Sequence, residues 1–293
     1  MTDHTGTAVP SAPTPTPADV GRLYDRSTGV VDSAANGNIH SGYWEDDTDR
    51  SSLTEATDRL TDLVADRLAT SPGERLLDVG CGTGRPALRV AAARGVLVEG
   101  ISVSREEVEA ARAQAGECGL ADRVAFAHAD VMELPFADGS FDGAWAIESL
   151  MHMSDRAGAL SRVARTLRPG GRLVVADVLL RRPVTGEVKE FVDRMCLAFQ
   201  APWLPGPGEY REAVRRAGLE LLEFSDIGEH VRRTYREFAA ALGEAGAHGG
   251  DGPDGGAGGK AEGDIVGSAD ALPRFGELPE IGYVLLVARR PVR

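Results

Sequence analysis

The chain has 293 residues, of which 42% are hydrophobic and 26% charged, and its formal net charge is −13. These proportions are those of a folded globular protein, and the length suits one α/β domain of about 200–250 residues with appendages. The acidic balance argues against duplex DNA or RNA as a substrate, because nucleic-acid-binding proteins carry basic patches. We therefore expect no nucleic-acid partner.

The cysteines and the N-terminus bear on cellular location. Cys81, Cys118 and Cys196 are odd in number, widely spaced and without a CxxC pair, so we expect free thiols in a reducing cytoplasm, no disulfide framework and no zinc site. Carboxylates and histidines do not cluster at ligand spacing, so no metal is expected. The N-terminus lacks the basic start and apolar run of a signal peptide. No apolar stretch reaches the ~18 residues that span a bilayer, so we expect no membrane partner.

Residues 1–17 are rich in Pro and Thr and are predicted to be a disordered tail. Residues 18–70 are predicted to form an N-terminal helical lid. Within this lid, apolar residues recur at helical spacing over Ala18–Ser33. The segment Asn36–Trp44 is rich in turn-forming residues. The pattern over Ser52–Ala69 predicts an amphipathic helix.

Residues 71–183 alternate short apolar runs with helical patterns and are predicted to be the core. The predicted strands are Arg75–Val79, Val96–Ile101, Val124–Ala127, Phe141–Ala146 and Arg172–Val178. The predicted helices between them are Pro86–Ala93, Arg105–Cys118 and Ala157–Leu167, the last ended by the Pro-Gly-Gly of residues 169–171. This alternation predicts a mainly parallel sheet covered on both faces.

Residues 184–245 are predicted to supply acceptor-pocket helices and a sixth strand. The elements are helices at Glu187–Gln200, Glu209–Ala217 and Thr234–Ala245, and a strand at Leu219–Ile227. Residues 246–263 form a glycine-rich linker, and residues 264–293 carry a last strand, Tyr283–Ala288, that is predicted to complete the sheet.

A glycine-rich loop, Asp78-Val-Gly-Cys-Gly-Thr-Gly84, follows the first strand. A dinucleotide site takes the pattern GxGxxG, whereas here the glycines run GxGxG and Arg85 stands at the third position. Asp78 precedes Gly80 and Gly82, and a carboxylate suits an ammonium group better than a pyrophosphate. The loop therefore favours S-adenosylmethionine, which has no phosphate, over a nicotinamide cofactor.

Polar residues at the ends of the next strands extend this site. Ser102 stands where an acid often binds ribose, and Glu107 five residues later either supplies that carboxylate or only complements the dipole of its helix. Asp130 is predicted to accept from the adenine amino group, with Val131 and Ile147 beside the cofactor. Tyr24, in the lid, either reaches the methionine carboxylate or packs in the core.

These motifs together resemble the class I S-adenosylmethionine-dependent methyltransferases. The matching segments are LLDVGCGTG at 76–84, GISVS at 100–104, ADVMELPF at 129–136, LRPGGRL at 167–173 and ADV at 176–178. The segments NIHSGYW, AIESLMHM and PEIGYVLLVARRP narrow the likeness to the natural-product O-methyltransferase group that includes the rebeccamycin sugar and rifamycin enzymes. The resemblance implies an α/β fold, namely a Rossmann-like seven-stranded sheet with an N-terminal helical lid and a helical insert after strand five.

The resemblance also implies a catalytic pair. His152 and Asp177 match the second histidine and the acid of those relatives, while their first histidine is Met151 here and their glutamine is Glu107. His152 is the candidate general base, or else a structural residue of its loop. Asp177 either orients His152, binds the acceptor, or caps a helix.

The expected reaction is methyl transfer to a hydroxyl of a polyketide, macrolide or glycosylated metabolite. Aromatic residues of the insert, Phe199, Trp203 and Tyr210, favour an acceptor that is large and partly hydrophobic. Methyl transfer to carbon or nitrogen remains open, and so does a cyclase that retains the cofactor without transferring its methyl group. We expect a cytoplasmic monomer or homodimer.

Overall fold

The computed structural model describes residues 14–25, 38–248 and 271–292. Most of the predicted tail, the second half of the first predicted helix and most of the glycine linker lie outside these residues. Residues 17–25 are helical and form α1, whose start is capped by Thr16 through hydrogen bonds with Asp19.

The strands build one mixed sheet. They are β1 (Arg75–Val79), β2 (Leu97–Ser102), β3 (Val124–His128), β4 (Phe141–Ile147), β5 (Leu167–Leu180), β6 (Glu220–Asp226) and β7 (Ile281–Arg289). Their order is β3-β2-β1-β4-β5-β7-β6, in which β7 runs antiparallel to both of its neighbours and the other pairs are parallel. The prediction of a seven-stranded α/β sheet is confirmed.

Helices cover both faces of this sheet. They are α2 (Leu53–Leu68), α3 (Arg85–Arg94), α4 (Arg105–Glu117), α5 (Arg156–Thr166), α6 (Gly186–Ala198), α7 (Pro207–Arg216), α8 (Gly228–Val231), α9 (Arg233–His248) and α10 (Leu272–Glu277). None of the helices among the described residues is both long enough and apolar enough to cross a membrane.

The hydrophobic core lies in two layers, one on each face of the sheet. α2, α3 and α4 pack on one face around Leu60, Leu76 and Val98, and α5 and α7 pack on the other around Leu77 and Leu160. β7 is buried from residue 281 to residue 288. Its apolar run was predictable as a strand because a central strand is covered on both faces.

Most element boundaries lie within two residues of the sequence-based prediction, two elements extend further than predicted, and two short helices were not predicted. β5 begins at Leu167 and continues to Leu180, so it includes the Pro-Gly-Gly predicted only to end α5. α9 continues to His248, past the predicted start of the linker. α8 and α10 were not predicted, because each is too short to show a helical period. α10 packs through Phe275 against Tyr235 of α9.

Gly100 in β2 tests how tightly this sheet packs against the loop after β1. A Cβ atom there would lie 2.7 Å from the side chains of Cys81 and Phe126, whereas one at Gly116 on the exposed face of α4 meets nothing. We expect Gly100→Ala to lower the free energy of unfolding by about 1–3 kcal/mol, as overpacked core substitutions do. Gly116→Ala is the matched control and should raise it by up to about 1 kcal/mol. Urea denaturation measures both, and equal effects of the two changes would contradict this packing.

Candidate active site

A cavity of about 270 Å³ opens at the carboxyl ends of β1, β2 and β4. The chain passes outward through β2 and β3 and then returns to the other side of β1, so the sheet leaves a crevice between β1 and β4, where open α/β sheets bind ligands. Every residue predicted to bind the cofactor lines this cavity: Tyr24, Asp78, Gly80, Gly82, Ser102, Glu107, Asp130, Val131 and Ile147. His152 lines it as well, and Asp177 does not.

Asp78 is the carboxyl of this cavity whose pKa burial raises furthest. The residue is 2% exposed, and its Oδ2 atom has no hydrogen-bond partner among the described residues. Burial raises the pKa of this carboxyl to about 8. A buried carboxylate oxygen without a partner is costly, and a cationic ligand removes that cost. The ammonium group of S-adenosylmethionine fits this position.

The loop after β1 brings its backbone close to the cavity. Gly80 and Gly82 have φ angles of +79° and +52°, in the left-handed region that favours glycine. A Cβ atom at Gly80 would lie 2.5 Å from the side chain of Ser149. The backbone N–H groups of Gly80 and Cys81 both donate to the carbonyl of Ile101, which fastens the loop to the end of β2.

The end of β2 and the start of α4 form the next wall. Ser102 Oγ donates to Glu107 Oε2 at 2.5 Å, and Ser104 caps α4 by accepting from the N–H of Glu107. Glu107 is 4% exposed, and burial raises its pKa to about 7. Ser102, at the predicted ribose position, and Glu107, in the next helix, are therefore joined by a hydrogen bond and form one polar wall of the cavity. A buried carboxylate facing a cavity accepts readily from paired hydroxyls, such as those of a ribose.

The end of β3 contributes a turn rather than an open carboxylate. Asp130 Oδ1 accepts from the backbone N–H of Met132 at 2.9 Å and starts a short 3₁₀ turn, Val131–Glu133. Val131 and Ile147 are buried on either side of the crevice and offer apolar walls for a flat ring. The turn holds Asp130 at the cavity while using one of its oxygens.

His152 and Tyr24 meet although they are far apart in the sequence. Tyr24 Oη lies 3.0 Å from His152 Nε2, and the two rings pack edge to face. His152 Nδ1 lies 3.4 Å from the carbonyl oxygen of Gln200. Loss of water around the ring lowers the pKa of His152 to about 4, so the imidazole is neutral at physiological pH.

Asp177 lies in β5 and is fully buried. Its Oδ2 accepts from the backbone N–H of Met151 at 2.9 Å, and its Oδ1 accepts from that of Val178 at 2.8 Å. The carboxylate thus holds the backbone of the loop that carries His152, and both oxygens are engaged away from the cavity. Burial raises its pKa to about 7. Among the described residues Asp177 makes no hydrogen bond to the His152 side chain; it holds the backbone of the turn Leu150–His152 instead.

Arg156 was missed by the sequence-based reasoning. It is 6% exposed and donates to the carbonyls of Leu150, Met151 and Trp203, so it clamps the loop after β4. The sequence did contain a signal for it. A cation at the first position of a helix is unfavourable with the helix dipole, so Arg156 is expected to have another role there.

Glu148 was also missed. It follows β4 directly with a φ angle of +47°, a conformation that costs free energy for any residue other than glycine. Its Oε1 accepts from the N–H of Ser41 at 2.7 Å and from the hydroxyl of Tyr283 at 2.9 Å. Glu148 therefore ties the buried segment 38–44 to the sheet. This segment is packed into the protein and lies against α2 and α9.

A second cavity of about 100 Å³ adjoins the first. Tyr24, Ile39, Glu148 and His152 line both cavities, so these residues mark their junction. The remaining lining is largely apolar and includes Met151, Val178, Phe199, Phe238, Leu242 and Leu272.

Of the three aromatic residues predicted to line an acceptor pocket, one lines the second cavity and two do not. Phe199 lines the second cavity. Trp203 does not line it; the residue is 41% exposed and its Nε1 donates to Glu209. Tyr210 is buried under the sheet, and its hydroxyl donates to the carbonyl of Val178. Aromatic composition alone does not tell which face of a helix meets the cavity.

Comparison with known proteins identifies the family. A profile described as a methyltransferase domain matches residues 77–175. The chain is 38% identical over 281 residues to the 27-O-demethylrifamycin SV methyltransferase of Amycolatopsis mediterranei (strain S699), an alignment covering 94% of this chain and 98% of the relative. The chain belongs to the S-adenosylmethionine-dependent methyltransferases. The cofactor of this methyltransferase is therefore S-adenosylmethionine, in agreement with the Oδ2 atom of Asp78, which has no partner among the described residues.

Two further relatives widen the comparison. The methyltransferase is 45% identical over 218 residues to the O-methyltransferase resE of Aspergillus sclerotiorum, covering 74% of this chain and 82% of the relative. Its structure superposes on the crystal structure of the [4+2]-cyclase SpnF with a TM-score of 0.80 and 37% identity, covering 97% of this chain and all of that one.

The role of Asp78 predicts a loss of cofactor affinity on removal of its charge. We expect Asp78→Asn to raise the Kd of S-adenosylhomocysteine by roughly 10–100-fold, the value of one charge-assisted hydrogen bond. Isothermal titration calorimetry measures this, with Asp138→Asn, an exposed aspartate paired with Arg165, as the control. An unchanged Kd in the Asp78 variant would remove Asp78 from the site.

The same carboxyl predicts a pH dependence of stability in the cofactor-free protein. The unfolded carboxyl loses its proton near its ordinary pKa of 3.8, whereas the folded one keeps it until about pH 8. The free energy of unfolding therefore falls as the pH rises between these values. We expect Asp78→Asn to be more stable than the wild type at pH 8, with the difference shrinking towards pH 4. Thermal denaturation at both pH values measures this, and a difference independent of pH would contradict it.

Proposed function

We propose that this methyltransferase transfers a methyl group to a hydroxyl of a large, partly hydrophobic secondary metabolite, such as a polyketide, macrolide or glycosylated product. The apolar second cavity carries the hydrophobic part of this proposal, because it meets the cofactor cavity at His152 and is lined by aliphatic and aromatic side chains. Its volume of about 100 Å³ suits the part of the acceptor that bears the hydroxyl. Relatives named O-methyltransferases at 38–45% identity support oxygen as the methylated atom.

The residues of the first cavity divide the binding of the cofactor among them. Asp78 receives the ammonium group, Glu107 with Ser102 receives the ribose hydroxyls, and Asp130 receives the adenine amino group. The loop at Gly80 and Gly82 allows close approach of the backbone. When bound, S-adenosylmethionine supplies a methyl group activated by its sulfonium. The protein then has to orient the acceptor at near-attack distance and to exclude water, which accounts for much of the rate of such a displacement.

His152 is the proposed general base. An alcohol is a weak nucleophile until its proton begins to leave, and a base within hydrogen-bond reach contributes roughly 10²–10⁴-fold. The neutral imidazole at the junction of the two cavities has a ring nitrogen with a lone pair that can receive this proton. Asp177 and Arg156 act as positioning residues, since both hold the loop backbone on which His152 is carried.

A second candidate function is supported by the likeness to the [4+2]-cyclase SpnF, together with Met151 in place of a histidine. In that case the second cavity would promote a cyclisation while the cofactor remains intact. Incubation with methyl-labelled S-adenosylmethionine and a panel of polyketide and macrolide acceptors separates the two. Label on an oxygen of the product supports our proposal. Label on carbon or nitrogen, or an unlabelled rearranged product, overturns it.

The role of His152 predicts a change in turnover rather than in binding. We expect His152→Ala to lower turnover by roughly 10²-fold or more, since the acceptor loses its base. The Kd of S-adenosylhomocysteine should stay within about twofold of the wild-type value, because the cofactor is held elsewhere. His230→Ala, which removes a histidine outside both cavities, is the control. Wild-type turnover in the His152 variant would discard it as the base.

A further inference from the structure

Tyr235 lies on α9 and lines the second cavity. The base of its side chain is held by α10, because the ring packs edge to face on Phe275 and a Cβ atom at Gly276 would lie 2.5 Å from the ring. The ring is therefore fixed in position, and its hydroxyl is held at one place beside the cavity.

The hydroxyl of Tyr235 has no hydrogen-bond partner among the described residues and is not sealed off by them. Two other tyrosines of the interior differ in this respect. Tyr210 donates to the carbonyl of Val178. Tyr283 donates to Glu148. Because polar groups inside proteins nearly always have a partner, the hydroxyl of Tyr235 is suited to bind a group of a ligand in the cavity.

The direction of the ring follows from the charges that act on it. Burial and the carboxylates of Glu148 and Asp177 raise the pKa of Tyr235 above its ordinary value, so the phenol keeps its hydrogen and is a donor. Glu148 follows β4 directly and Asp177 lies in β5, so both carboxylates belong to the sheet. With its base on α10, the ring therefore directs its hydroxyl end from α9 towards the sheet.

The charge of the second cavity indicates what kind of oxygen this donor meets. Glu148 lines the cavity, and no lysine or arginine among the described residues does. A carboxylate or phosphate group of a ligand would be repelled by Glu148 and would find no cation. A hydroxyl, carbonyl or ether oxygen has lone pairs without a charge and suits a neutral phenol.

We propose that Tyr235 is a specificity-determining residue whose hydroxyl donates a hydrogen bond to a second, uncharged oxygen of the acceptor. The proposal rests on the proposed function, in which the second cavity receives the part of the acceptor that bears the hydroxyl. An acceptor without this second oxygen leaves the phenol unpaired, and such sites reject the analogue that lacks the polar group.

The size of the cavity places the two oxygens of the acceptor near each other. An engineered apolar cavity of about 150 Å³ takes up one benzene molecule. The second cavity, at about 100 Å³, therefore holds a small ring or a short chain. The oxygen bound by Tyr235 lies within a few bonds of the oxygen that receives the methyl group.

Tyr235→Phe tests the hydrogen bond, because it keeps the ring on Phe275 and removes only the oxygen. The probes are cyclopentanone, which has a carbonyl oxygen, and cyclopentene, a ring of the same size without one. Each is titrated into the complex with S-adenosylhomocysteine, and NMR of the labelled methyl groups of Leu242 and Leu272 gives its Kd. We expect the variant to raise the Kd of cyclopentanone roughly tenfold and to leave that of cyclopentene within about twofold.

Tyr43→Phe is the matched control, since Tyr43 is stacked on His230 and lines neither cavity. It should change neither Kd. Equal losses of affinity for both probes in the Tyr235 variant would mean a purely structural role and overturn the proposal. An unchanged Kd of cyclopentanone, or no binding of cyclopentanone to the wild type, overturns it as well.

Turnover supplies an independent readout. For acceptors that the wild type methylates, Tyr235→Phe should lower kcat/KM roughly tenfold when a neutral oxygen lies near the methylated hydroxyl, and less when that oxygen is absent. Equal losses for both kinds of acceptor contradict the proposal. Absence of label transfer by the wild type overturns the proposed function instead, because the binding of the two probes is measured without turnover.

Discussion

The carboxylates at the carboxyl edge of the sheet are removed from water before any ligand arrives, and the rest of the site follows from that constraint. Asp78 lies at the end of β1 and Glu107 in the first turn of α4, where the packing of the sheet and its helices buries both. Their pKa values rise to about 8 and about 7 because the charged forms are poorly solvated. In the proposed binding mode, an ammonium group and a pair of ribose hydroxyls restore the stability that burial of these carboxyls costs, whereas a phosphate group would not.

The loop after β4 is held rigidly in place, and it lies where the cofactor cavity meets the apolar second cavity. Three groups from different elements hold it: Asp177 of β5 accepts from its backbone, Arg156 of α5 donates to its carbonyls, and Glu148 ties its start to segment 38–44. Asp177 and Arg156 line neither cavity, whereas Glu148 lines both. Together the three side chains hold His152 in one orientation, as its proposed role as general base requires.

The fold was predictable from the sequence because buried strands are short apolar runs. The cofactor cavity was predictable because the carboxyl ends of parallel strands meet at one edge of the sheet. It did not reveal contacts between distant residues. Tyr24 and His152 are 128 positions apart, and no local pattern indicates that they touch. Much of the second cavity comes from α9 and α10, which lie on either side of the glycine-rich linker. The hydrogen bond from the N–H of Met151 to Asp177 depends on the path of the loop after β4, which only the folded chain defines.

The most direct test of this account is the position of S-adenosylhomocysteine in a crystal structure of the complex. We expect its amino nitrogen to lie within hydrogen-bond distance of Asp78 Oδ2. We also expect its sulfur to lie at the junction of the two cavities, facing the space beside Tyr24 and His152. An amino group bound elsewhere with Asp78 still unpaired would contradict it, as would a sulfur walled off from the second cavity.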